Sequence, residues 1–155
     1  MAIKKVAILL TIDTSKKTKG TSGTARTDDK SLISIPGADE TYFVKVCDDM
    51  VPGPKGKPNK YAMLTTAAHE IGHVLSSIFK VPGGMHEDPR STGEITKPAE
   101  EMYLDDFTPD MAKRIYSNEI LAWNIAKQIR PDLHEDEALA AMETYEPLND
   151  IAKAA

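Results

Sequence analysis

The segment from about residue 60 to 80 constrains this chain more than any other. Its apolar residues recur with the period of an α-helix. With His69 at 0° and about 100° per residue, Met63, Leu64, Ala67, Ala68, Ile71, Val74, Leu75 and Ile78 fall on the opposite side. A helix with such a stripe must bury it against another element. Its other edge carries His69, Glu70 and His73, in the order His-Glu-Ile-Gly-His. Positions four apart share a helical face, so both imidazoles can reach one ion. Glu70 is rotated off that pair, where it can meet a water on the ion without displacing it. Gly72 lowers helix propensity, so its place mid-helix implies close approach by another element. Two surface histidines four apart also arise by chance. Their segregation from the apolar stripe favours metal binding instead.

The rest of the chain runs strands first, then helices. Residues 3–12 (IKKVAILLTI) read as a buried strand, and residues 13–30, without a large apolar side chain, as a flexible solvated loop. Residues 31–35 and 41–47 are short β-like runs. The second lies just before the motif helix, and as an exposed sheet edge it could take an extended peptide as a further strand; an ordinary interior strand is the alternative. Residues 51–60 and 81–100 are loops rich in proline and glycine. A second long helix is expected from Pro109, capped by Thr108, to about Ile129. A third is expected after Asp132, with Glu135 completing a capping pair, ending near Tyr145–Glu146–Pro147. This order implies an α+β fold in one domain spanning 1–155, with a short, mostly antiparallel sheet on the motif helix and helices at the C-terminal side.

Composition narrows the partners. The formal net charge of −5 disfavours phosphate backbones and anionic lipid headgroups, so neither nucleic acid nor a membrane is expected. Lys55, Lys57 and Lys60 share one loop, but such a cluster is usually a solvated turn. The only cysteine is Cys47, so no internal disulfide forms and a zinc site must use histidine and carboxylate. The apolar run after Lys4 and Lys5 is too short for a signal peptide, and no stretch approaches a membrane span. A cytoplasmic location is the default expectation. Oligomeric state is open.

The segment LTTAAHEIGHVL (64–75) resembles the active-site helix of zincin metallopeptidases. The resemblance implies a Zn2+ ion held by His69 and His73, with Glu70 as general base in hydrolysis of a peptide or protein substrate.

A catalytic zinc usually takes three protein ligands, and two candidates compete for the third place. Glu119 falls inside the apolar face of the second long helix, beside Met111, Ala112, Ile115, Ala122, Ala126 and Ile129. A carboxylate there needs a partner: zinc, or Arg114 or Lys113. Residues 119–126 (EILAWNIA) resemble the glutamate helix of gluzincins, in which alanines three and seven residues after the ligand permit close helix approach. The overall likeness is to the small single-domain members, the minigluzincins. Many gluzincins carry an acidic residue four positions after the glutamate; here that position is Trp123. The second candidate is His86, whose Gly83-Gly84-Met85-His86 resembles the metzincin pattern, as does 102–115 its Met-turn. Against this, Ser76 replaces the metzincin glycine, and the spacing to His86 is seven residues too long. His134, beside Glu135 and Asp136, reads as a surface residue. Different in class is a non-enzymatic zinc-binding module of a larger assembly.

Overall fold

The computed structural model describes residues 5–13, 23–26, 35–47, 60–97, 101–133 and 135–154. It is an α+β fold with a mixed sheet of three strands: β1 (Val6–Asp13), β2 (Gly23–Arg26) and β3 (Glu40–Cys47). The strand order is β1-β3-β2. β1 runs parallel to β3, with Val6 opposite Glu40 and Asp13 opposite Cys47. β2 runs antiparallel to β3, with Gly23 opposite Val46. The sheet, expected to be mostly antiparallel, has its longer pairing, β1 with β3, parallel, and two further expectations change here. β3, the run at 41–47, is the central strand and not an edge. β2 lies inside the stretch expected to be a loop; Gly-Thr-Ala-Arg offers no apolar pattern, and the strand forms through backbone pairing to β3. The β-like run at 31–34, Lys55, Lys57 and His134 lie outside the described residues.

Helix α1 (Lys60–Ile78) crosses the sheet over β3 and β2. Tyr42, Val44 and Val46 alternate inward and are 1–2% exposed, packing with Val74 and Met85. β1 is less buried than its composition suggests. Ile8, Leu10 and Ile12 stand opposite Tyr42, Val44 and Val46 but remain 40–58% exposed. The reason is position: among the described residues β1 is an edge strand, and α1 sits over the other two.

After α1 the chain reverses at Lys80, which takes a left-handed conformation. A 3-10 turn (Met85–Glu87) and a single helical turn, α2 (Pro89–Thr92), follow where a plain loop was expected. Asp88 caps α2 by accepting the Arg90 N–H at 2.8 Å, with Pro89 in its first turn. Helix α3 (Pro109–Ile129) starts as its sequence dictates, with the Thr108 hydroxyl accepting the Met111 N–H. α4 (Glu135–Glu143) ends near the expected residue, but the chain continues into α5 (Glu146–Lys153). Pro147, expected to end a helix, sits instead in the first turn of one, the position where a missing N–H costs nothing. α5 buries Leu148 against Ala112 and Ile115 of α3. Among the described residues no helix is long and apolar enough to cross a membrane.

Candidate metal centre

The site lies on α1 between the sheet and α3. Gly72 makes this approach possible: a Cβ there would overlap the Ala122 carbonyl of α3. Ala122 and Ala126 are wholly buried, so small residues on both helices bring the backbones together. This is the close approach that a mid-helix glycine implies. It has a further effect on α1. Flanked on two sides, the edge bearing the histidines becomes the helix's most buried strip: Thr65, Thr66, Glu70, His73, Ser76 and Ser77 are all at most 9% exposed. The apolar stripe behind is less buried than expected, and Leu64 is 50% exposed.

His69, Glu70 and His73 each bring one ligand atom within 4.8 Å of the others, close enough to hold a metal ion. Glu119 comes to them from α3. Its Oε2 lies 3.0 Å from His69 Nε2 and 3.3 Å from His73 Nε2. Two ring nitrogens from one helix thus converge on one carboxylate oxygen from another. Zinc bonds of about 2.0–2.2 Å in a tetrahedral set would separate neighbouring ligand atoms by roughly 3.3 Å. The observed separations and the donor set of two imidazoles and a carboxylate both fit that ion.

The surrounding groups fix these side chains. His73 Nδ1 is 2.9 Å from Asn118 Oδ1. An amide oxygen only accepts, so Nδ1 donates to it, and Nε2 is the nitrogen turned toward Glu119. Asn118 in turn donates to Asp88 Oδ2 at 2.7 Å. Asp88 also accepts from Arg90 Nη2 at 2.6 Å, and the same Nη2 donates to Glu119 Oε1 at 2.9 Å. Arg90 therefore occupies one carboxylate oxygen and leaves the other for the histidines. Arg114, an expected partner of Glu119, instead pairs with Glu94 and Asp110. Asp88, Arg90 and Asn118 escape sequence reading. The Asp-Pro start of α2 is legible as a cap, but nothing local shows that the turn folds back onto α3.

Electrostatics follow from this crowding. Burial alone would push the His69 pKa down, but the hydrogen-bonded carboxylate of Glu119 and the nearby carboxylate of Glu70 outweigh it and raise it to about 9. Burial would likewise raise the Glu119 pKa, but both histidines hold it well below the usual carboxylate range. Burial, reinforced by the Glu119 charge, pushes the Tyr145 hydroxyl up to about 12.

His86 is elsewhere. It lies in the 3-10 turn and lines a separate cavity of about 490 Å³ with Tyr42, Ser77, Lys80 and Met85, among others. None of His69, Glu70, His73 and Glu119 lines that cavity. Ser76, at the position of the metzincin glycine, donates to the His73 carbonyl and accepts the Met85 N–H, tying the returning chain to α1. Cys47 is buried at the end of β3. Comparison with models of protein families, with curated proteins and with solved structures finds no match to this chain.

Proposed function

We propose that this chain is a zinc-dependent peptidase of the zincin type, closest in design to the minigluzincins. His69, His73 and Glu119 are its ligands and Glu70 its general base. One observation carries the reading: both Nε2 atoms converge on one oxygen of Glu119, with Glu70 beside them. When bound, zinc supplies a Lewis acid that acidifies water and polarises a carbonyl. Asn118 keeps His73 in the tautomer able to bind metal, and Arg90 orients Glu119. Glu70 takes a proton from the attacking water. It returns that proton to the amine nitrogen as the C–N bond breaks, and the water oxygen ends in the new carboxylate.

The substrate class is an extended peptide or protein segment. Its docking strand is β2. Gly23 stands so close over α1 that a Cβ there would crowd the Thr66 methyl and Glu70 Cγ. A peptide added along β2 would pass beside Glu70. Nucleic acid and membrane are not partners in this reading, given the negative net charge.

The test uses four variants, with zinc affinity measured against a chromogenic chelator and cleavage measured on a peptide library. His69→Ala and Glu119→Ala lose most of their zinc affinity and all cleavage. Glu70→Gln keeps zinc but does not cleave, because an amide cannot take the proton. His86→Ala leaves zinc affinity unchanged. Zinc lost from the His86 variant but retained by the Glu119 variant would overturn the ligand assignment. Zinc binding without cleavage in wild type would favour a binding module.

A further inference from the structure

The two histidines are held in different ways. His73 has a hydrogen bond from Nδ1 to Asn118. His69 Nδ1 lies 3.5 Å from Glu70 Oε1, too long for a well-formed bond. If Glu70 is the base, its carboxylate must also stay free to reach water. What His69 has instead is Trp123. The indole lies flat on the imidazole, with ring centroids 4.1 Å apart and planes inclined by 16°. The indole is itself immobilised, 7% exposed among Ala68, Ala126, Leu133 and Ala138. Its Nε1–H is buried and meets no acceptor among the described residues. Among the described residues the indole is therefore placed by packing and not by a hydrogen bond, at the stability cost of an unsatisfied donor. Apolar side chains of similar size would fill the same space without that cost. Trp123 stands on α3 one turn after Glu119, so the helix that brings the carboxylate also brings the clamp.

We infer that Trp123 is a positioning residue for the candidate metal centre: its indole face fixes the imidazole plane of His69, the work that a hydrogen-bonded acceptor does for His73. The inference rests on the metal-binding reading above for its purpose, but not for its geometry. A stacked aromatic surface restrains ring rotation without needing a bond at Nδ1, so His69 gains orientation from the indole face. Trp123 is also the only tryptophan of the chain, so the emission comes from the indole stacked on His69.

The experiment compares wild type with Trp123→Phe, which keeps an aromatic face, and Trp123→Leu, which keeps apolar bulk without one. Thermal melting first establishes that each variant is folded. In the zinc-free chains, NMR should find the His69 ring protons shifted upfield by the indole in wild type. The shift should shrink in Trp123→Phe and vanish in Trp123→Leu. Competition with a chromogenic chelator should show zinc held within about twofold of wild type by Trp123→Phe and about two- to tenfold more weakly by Trp123→Leu, the range expected for an aromatic pair. One equivalent of zinc should change the wild-type indole emission, and His69→Ala should remove that change. An upfield shift that persists in Trp123→Leu, or equal zinc affinity in all three folded chains, overturns the inference. A wild-type chain that shows the upfield shift but binds no zinc overturns the metal reading and supports the clamp.

Discussion

Helix α1 meets β3 on one side and α3 on the other, and the two contacts are built differently. Toward β3 the contact is side-chain volume: Val74 against Tyr42, Val44 and Val46. Toward α3 it is backbone against backbone, Gly72 on Ala122, with a polar network running alongside through His73, Asn118, Asp88, Arg90 and Glu119. A volume contact adapts to small changes by repacking. A backbone contact cannot, and this is why the imidazole nitrogens of one helix and the Glu119 oxygen of the other hold separations of 3.0 and 3.3 Å. The sheet side supplies stability, and the α3 side supplies position.

Adding bulk at Gly72 breaks the positional side. A larger residue gains up to about 1 kcal/mol of helix propensity over glycine. The overlap with the Ala122 carbonyl outweighs this, because neither backbone can yield. Gly72→Val should lose about 3 kcal/mol of stability in denaturant unfolding, with zinc affinity falling sharply in any folded remainder. A stable variant with normal zinc affinity would refute the contrast.

The complementary change is Val74→Ala on the sheet side. Val74 is wholly buried, so the cavity should cost about 2 kcal/mol. Zinc affinity of the folded protein should stay within about twofold, since Val74 packs into the sheet-side cluster. A large loss of zinc in this variant would show that position depends on the sheet as well.

The last effect concerns charge, and it separates the ionic side from the apolar one. In the zinc-free chain His69 has its pKa raised from 6.5 to about 9. The stability this gives is complete below pH 6.5 and is lost as pH rises through 9. Glu119 is lowered from 4.5, so its contribution is present above pH 4.5 and lost on acidification. The zinc-free chain should therefore melt highest between pH 4.5 and 6.5 and decline toward pH 9. Glu119→Gln should flatten the alkaline decline, while Val74→Ala lowers the curve without changing its shape. Melting temperatures across pH, with chelator present, check this.

The sequence is legible where a pattern is local. The long helices declare themselves by period and by caps such as Thr108, and Glu119 declares itself as a charge on an apolar face. Gly72 announces a close neighbour without naming it. The rest depends on what folds against what. β2 carries no periodic apolar signal. The central place of β3 depends on pairing with segments on both sides of it in space. Pro147 reads equally as the end of one helix or the start of another. Arg90 reaches Glu119 from 29 residues away, so no window of helical or strand length contains both.

The sequence distances within the site bear on how it comes apart. His69 and His73 are one helical turn apart, but Glu119 is 50 residues from His69, and Asn118 is 30 from Asp88. The centre therefore exists only while three separate segments are docked. Detachment of α3 alone would dissolve it with the sheet still intact. In the metal-binding reading, release of the ion should then keep time with hydrogen exchange at the buried amides of α3 and run independently of exchange in β3, a clock for one sub-global opening of the molecule.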